Sequence, residues 1–202
     1  VVIRATDSVF LDGEDTQGGS SRILSAVQSG AKGNSGGVEI ESGSLTATNG
    51  ATINASTSGE GDAGKVVIRA TDSIFLDGED SQGFNSGVFS VVNSGAKGNS
   101  GGVEIESGSL TATNGATINA STFAEGDAGK VVIRATDSIF LDGEDSQGFG
   151  SSIGSVVLSG ATGNSGGVEI ESGSLSLTNG ATIGANTQGE GDAGLVVIRA
   201  TD

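Results

Sequence analysis

The sequence predicts an all-β fold: a single-stranded parallel β-helix, or β-solenoid, with two turns (rungs) in each 65-residue repeat. The heptapeptide VVIRATD begins at Val1, Val66, Val131 and Val196, so one period accounts for the whole chain. Apolar and polar residues alternate within short segments, which is typical of strands. Gly, Ser, Asn and Asp separate these segments, and none of them carries a helical apolar stripe. A fixed period with strand character indicates a solenoid.

Each repeat divides into a long rung, first seen at Val1–Gly37, and a short rung, first seen at Val38–Lys65, with three predicted strands per rung. One rung cannot bury its inner face alone, whereas stacked rungs share a continuous core. Rungs about 4.8 Å apart would make a rod about 29 Å long. We therefore expect one continuous solenoid over residues 1–202, with repeat units at 1–65, 66–130 and 131–195 and the start of a fourth at 196–202.

Alternation also predicts which residues face the core. The turn between the second and third strands is predicted by Asn49-Gly50, since both residue types tolerate positive φ. Each buried aliphatic side chain contributes about 1.5–3 kcal/mol, so the stack gains a cooperative core despite its modest hydrophobicity. The predicted inward residues of the first short rung are Val38 and Ile40, then Leu45 and Ala47, then Ala51, Ile53 and Ala55.

Long rungs have 37 residues and short rungs have 28. We place eight of the nine extra residues between the second and third strands, around Asp12–Ser21, and the ninth after the first strand. In the second repeat this alignment matches Gly87–Gly102 to Gly50–Lys65 without gaps.

Stacking places equivalent residues of neighbouring rungs above one another, and three polar columns result. In each column the residue type alternates from rung to rung, and we hypothesise that this fixes the register, because a slipped rung would pair like charges. Each exposed ion pair adds only about 0–1 kcal/mol to stability. The columns are Arg4, Glu41, Arg69, Glu106, Arg134, Glu171 and Arg199; Lys32, Glu60, Lys97, Glu125, Thr162 and Glu190; and Asn34, Asp62, Asn99, Asp127, Asn164 and Asp192.

The long rungs also direct apolar residues outward. We expect the insertion to fold back over them; the alternative is a lateral contact strip for a neighbouring domain or chain. The outward residues are Phe10, Phe75 and Phe140, with Phe89 and Val91 on the third strand, and the expected covers are Phe84 and Phe149.

Composition excludes several classes of function. The chain has no Cys and no His, so disulfides, thiol chemistry, most zinc sites and the serine-protease triad cannot be built. The net charge of −16 disfavours nucleic acid and anionic membranes. No apolar run approaches the about 18 residues of a membrane span, so we expect no membrane insertion.

The acidic loops Asp12–Gly18, Asp77–Gly83 and Asp142–Gly148 are the strongest candidates for chemistry. Calcium is the one cofactor that their carboxylates suggest, although their spacing is not that of a known calcium loop. Paired carboxylates also suggest a glycosidase. The same acids recur in every repeat, however, whereas an active site is normally a single unsymmetrical constellation. We therefore expect no enzyme and no catalytic, cofactor-binding or metal-binding residues.

The stretch Gly33–Thr57, repeated at Gly98–Thr122, resembles repeats of filamentous-haemagglutinin-like bacterial exoproteins. It resembles in particular those of large cyanobacterial surface proteins exported by two-partner secretion. The shared pattern is GN-x-G, an alternating strand, GSL, NGA and a second alternating strand ending in Thr. The resemblance implies a right-handed β-helix in a protein secreted to the cell surface of a bacterium. It also implies roles in adhesion, spacing or biofilm contact.

These observations predict a non-catalytic extracellular structural or adhesive shaft of a large secreted surface protein. Because the chain begins at Val1 without a signal peptide, we expect it to be part of a longer protein. Two alternatives remain: the repeat segment of a self-assembling extracellular filament, and a calcium- or polysaccharide-binding module. The expected partners are other repeats or chains of the same protein, by end-to-end or lateral contact, and cell-surface glycans or proteins.

Overall fold

Residues 1–201, which the computed structural model describes, fold entirely into parallel β-strands and the turns between them. No helix occurs in this range. The strands are β1 (Val2–Arg4), β2 (Ser8–Asp12), β3 (Arg22–Leu24), β4 (Val38–Thr48), β5 (Thr52–Asn54), β6 (Val66–Asp77), β7 (Gly87–Phe89), β8 (Val103–Thr113), β9 (Thr117–Asn119), β10 (Val131–Asp142), β11 (Ser152–Gly154), β12 (Val168–Leu177), β13 (Thr182–Gly184) and β14 (Val196–Ala200).

The strands form two parallel sheets, and each of the six complete rungs contributes to both. The first sheet has the order β1-β4-β6-β8-β10-β12-β14, with β2 also paired to β4. The second has the order β3-β5-β7-β9-β11-β13. All ladders between these strands are parallel. The parallel β-helix fold class predicted from the period and the alternation is therefore confirmed.

The first two predicted strands of a rung join into one long strand from β4 to β12. The pairing shifts register where Ser42 and Ser44 meet Ala70 and Ser73, which confirms the one extra residue after the first segment of a long rung. The short rung has Gly43 at this bend, and a Cβ there would lie 2.4 Å from the carbonyl oxygen of Asp7. Only glycine lets the two backbones approach so closely.

Columns of aliphatic side chains fill the bore of the solenoid. Ile40 and Ile105 are 0% exposed, as the alternation predicts for the first strand. Each core residue stacks on its equivalents above and below, so a single cluster extends through the rungs. The three main columns are Ile3, Ile40, Ile68, Ile105, Ile133, Ile170 and Ile198; Val9, Leu45, Ile74, Leu110, Ile139 and Leu175; and Ile23, Ile53, Val88, Ile118, Ile153 and Ile183.

The ungapped alignment of the third strand is wrong by two residues. Ile53 pairs with Val88 rather than with Ser90, and Thr57 pairs with Val92. The pairing of Glu60 with Lys97 is as predicted. Six extra residues therefore precede the third strand of a long rung, and two lie in the turn that follows Val92. Burial of Val88 and Val92, both 0% exposed, decides this register.

Candidate functional site

The outer face of the first sheet carries the predicted column of alternating Arg and Glu. Strand pairing places Arg69 between Glu41 and Glu106. Its Nε lies 3.3 Å from Glu106, and its terminal nitrogens lie 3.7 Å from Glu39 and Glu104. The arginine therefore contacts carboxylates of the rungs above and below, and the predicted alignment of these positions is confirmed.

The Asn and Asp column forms a second ladder of contacts between rungs. The backbone N–H of Asn99 donates to Asp62 Oδ1 at 2.8 Å, and the Asn99 side-chain oxygen accepts from the N–H of Asp127 at 2.9 Å. In the remaining column, Lys97 Nζ lies 3.0 Å from Glu125. All three predicted columns thus link one rung to the next.

The first aspartate of each acidic loop fastens the loop to the short rung that follows. Asp12 Oδ1 accepts hydrogen bonds from the Thr48 hydroxyl at 2.6 Å and from the Asn49 side-chain amide at 2.8 Å. These two bonds hold the pKa of Asp12 below its ordinary value. Asn49 has the positive φ, 54°, that the Asn-Gly turn predicts. Asp77 and Asp142 make the equivalent bonds in their repeats.

Successive acidic loops also contact each other, one repeat apart. Asp80 accepts the Ser20 hydroxyl of the preceding loop at 2.8 Å, and the backbone N–H groups of Gln82 and Phe84 at 2.9 Å each. Burial raises the pKa of Asp80, but these donors outweigh it and hold the pKa below its ordinary value. The loops therefore form a continuous ridge along the solenoid.

The glutamates of the acidic loops form hydrogen bonds from one loop to the next. Glu14 Oε1 accepts the N–H of Ser81 in the next loop at 3.3 Å, and Glu79 accepts that of Ser146 at 3.1 Å. Across residues 1–201, no three acidic side chains are grouped so that they could hold a metal ion. The calcium hypothesis for these loops stays a prediction that a titration can test.

The outward phenylalanines form an uncovered row on the first sheet. Phe10, Phe75 and Phe140 alternate with Thr46 and Thr111 across the paired strands and are 67%, 38% and 37% exposed. The prediction that the insertion covers them is wrong, because the insertion loops pack against one another instead. The expected covers, Phe84 and Phe149, are themselves exposed, whereas Val91 is buried and does not belong to this surface.

A groove of about 510 Å³ lies beside the first two acidic loops, where they meet the second sheet. Its floor is the outer face of the second sheet, where Thr52 and Asn54 of the short rung lie. Phe84 of the second loop and Phe89 of β7 supply its aromatic surface, and Arg22 of β3 supplies a cation. Apolar rings, amides, hydroxyls, the Arg22 guanidinium and the Asp80 carboxylate, which the loop's own donors engage, thus converge on a single cavity.

The sequence pattern did not predict this groove, and Arg22 belongs to none of the predicted columns. At the same column position the next two long rungs carry Gly87 and Ser152, so Arg22 lies outside the repeating pattern of charges. That departure from the repeat was visible in the sequence. Its meaning depends on the third-strand register, which the ungapped alignment misplaced.

Comparisons with protein-family models, with curated proteins and with solved structures found no match to this chain. The resemblance to filamentous-haemagglutinin-like exoproteins therefore stays a prediction. A search of residues 1–201 for a helix long and apolar enough to cross a membrane also found none.

Proposed function

We propose that this chain is a non-catalytic shaft, structural and adhesive, of a large secreted bacterial surface protein. The observation that carries the proposal is the linkage of each rung to the next by both sheets and by the repeated polar columns. Strand hydrogen bonds between rungs run along the solenoid axis, so the stack resists bending and stretching. The same acids make the same bonds in each repeat, which supports a mechanical rather than a catalytic role.

Location outside the cell rests on the resemblance to two-partner-secretion exoproteins and on the absence of Cys and the strong acidity of the chain. The net charge of −16 favours solubility and opposes association with nucleic acid or anionic lipid. Other repeats of the same protein and cell-surface glycans or proteins are the partners that such a shaft would contact.

Small-angle X-ray scattering tests the shaft role directly. The chain is compared with versions into which one or two additional copies of the repeat 66–130 are inserted. Each copy adds two rungs, so the maximum dimension should grow by about 10 Å per copy at a constant cross-section. A cross-section that widens with each copy would contradict a rigid shaft. Binding of chain-coated beads to bacterial cells tests the adhesive role, and beads that bind no better than uncoated beads contradict it.

A self-assembling filament is the second candidate, and the row of exposed phenylalanines favours it. Two neighbouring shafts could bury Phe75 and Phe140 against each other. Sedimentation velocity over a wide concentration range tests this idea, with Phe75→Ser/Phe140→Ser as the variant. Association that the double substitution abolishes supports lateral assembly, whereas a concentration-independent monomer removes it.

A further inference from the structure

The groove beside the first two acidic loops departs from the repetition of the surface. Its floor is formed by the short rung between those loops, and the ring of Phe89 lies over Gly87, where a Cβ would approach the ring to 3.1 Å. The corresponding column position in the next long rung is Gly154, so the aromatic surface does not recur there.

The walls of the groove are held in place by the chain itself. Asp80 binds the Phe84 N–H and the Ser20 hydroxyl, which fixes the second loop against the first. Gly50 allows this approach, because a Cβ there would lie 2.5 Å from the Asp80 Cβ. A ligand would therefore meet a largely preformed surface, which lowers the entropic cost of binding.

Arg22 is the only one of the nine cationic side chains that has no acidic partner within the described residues. The other eight lysines and arginines all form ion pairs with glutamates. An exposed guanidinium left unpaired on a protein of net charge −16 is available to a carboxylate from outside, and its planar fork matches two carboxylate oxygens.

The remaining lining chemistry favours a sugar over a peptide. A peptide strand would need free backbone groups, but β5 is paired on both sides by β3 and β7, and β7 by β5 and β9. Over β5 and β7, recognition therefore comes from side chains. The hydroxyls of Thr52 and Thr117 and the amide of Asn54 suit ring hydroxyls, and the phenylalanine rings suit the apolar face of a pyranose.

We propose that this groove binds a carboxylate-bearing sugar, a uronate unit of an acidic oligosaccharide. Arg22 pairs with the sugar carboxylate, the rings of Phe84 and Phe89 pack against the sugar ring, and Thr52 and Asn54 bond its hydroxyls. The proposal deepens the adhesive half of the proposed function. It is independent of the scattering test, because a groove that fails to bind would leave the length of the rod unchanged.

Calorimetric titration tests the site with the whole chain. The probes are disaccharides of galacturonate, glucuronate and mannuronate, each compared with the neutral disaccharide of the same linkage. At least one uronate disaccharide should bind, and its neutral counterpart should bind at least about tenfold more weakly, since a charge-assisted hydrogen bond is lost. Arg22→Gln should weaken uronate binding by a similar factor, and Phe84→Ser should weaken it several-fold.

Two matched variants serve as controls. Arg4→Gln makes the same charge change at an ion-paired arginine outside the groove, and Phe149→Ser removes the equivalent, equally exposed ring of the next loop. Both should bind the uronate as the unaltered chain does. The proposal is overturned if no uronate binds, if a neutral disaccharide binds equally well, or if a control variant loses as much affinity as its partner. Arg22-dependent binding of an acidic peptide in place of sugar would overturn it too.

Discussion

The turn glycines offer a sharp test of how tightly the rungs are stacked. Gly126 has a φ of 137°, in a region that L-residues rarely adopt, and a Cβ on it would lie 1.8 Å from the carbonyl oxygen of Gly98 in the rung before. Gly126→Ala cannot be accommodated by a side-chain movement, because the obstacle is backbone. The two rungs would have to separate locally.

The expected cost follows from the bonds at this corner. An unfavourable backbone conformation costs about 1–3 kcal/mol. Separation of the rungs strains the hydrogen bonds from Gly98 N–H to Glu125 and from Gly126 N–H to Thr162, each contributing about 0.5–1.5 kcal/mol. Together these effects predict a loss of about 2–6 kcal/mol in the free energy of unfolding.

Gly95→Ala is the matched control. Gly95 also has a positive φ, 78°, but a Cβ there meets no atom within 4 Å. Gly95→Ala therefore costs only the unfavourable backbone conformation, and part of this cost is offset because alanine stiffens the unfolded chain. We expect a loss of about 1 kcal/mol in the free energy of unfolding. Urea unfolding followed by far-ultraviolet circular dichroism measures both variants, with hydrogen exchange at the corner as a check on cooperativity. Equal losses for Gly126→Ala and Gly95→Ala would refute the close backbone approach.

Three further predictions concern the core, the ion pairs and the acidic loops. Ile105→Ala should cost about 2–5 kcal/mol of unfolding free energy in a urea titration, whereas Ile198→Ala, in the same column but 46% exposed, should cost clearly less; equal costs would contradict the stacked core. The hydrogen bond from Lys65, aided by Arg69, holds the pKa of Glu104 below its ordinary value. The ionised Glu104 carboxylate therefore stabilises the folded chain fully above pH 4.5, and this stabilisation is lost as the pH falls through the lowered pKa. Glu104→Gln should therefore lower stability by about 1 kcal/mol or less at neutral pH, and a difference that persists in strong acid would contradict this linkage. Millimolar calcium should leave the melting temperature unchanged, because protein donors already bind the loop aspartates and no three acidic side chains of residues 1–201 are grouped to hold an ion, and a clear rise would establish a calcium site.

The sequence alone predicts the parts of the fold that repeat. The alternation of Arg69 with Glu41 and Glu106 is visible without a structure, because a constant rung spacing maps sequence period directly onto contact. The inward positions Ile40 and Ile105 follow from the two-residue alternation of a strand. Both predictions depend only on local pattern and period, and both are confirmed.

The parts that failed depend on where extra residues are accommodated. Gly87 looked equivalent to Gly50, yet the core buries Val88 above Ile53, and two residues move into the turn after Val92. A turn lengthens at little cost, whereas a misplaced valine loses its burial, so packing overrides residue identity. The exposed row at Phe75 was misjudged for a related reason, since the loops bind each other in contacts that span a full repeat.

The two-rung repeat underlies both the pairing of charges between rungs and the position of the groove that Arg22 lines. Identical short rungs would place Glu above Glu about 4.8 Å apart, which like-charge repulsion disfavours. Alternating charge therefore requires two kinds of rung, and only the long kind carries an insertion. The insertions consequently recur about 9.6 Å apart, and the short rung between them lets successive loops contact each other. The groove that holds Arg22 lies beside the first of these contacts, on the second sheet, so the alternation of long and short rungs also shapes the surface on which a ligand can bind.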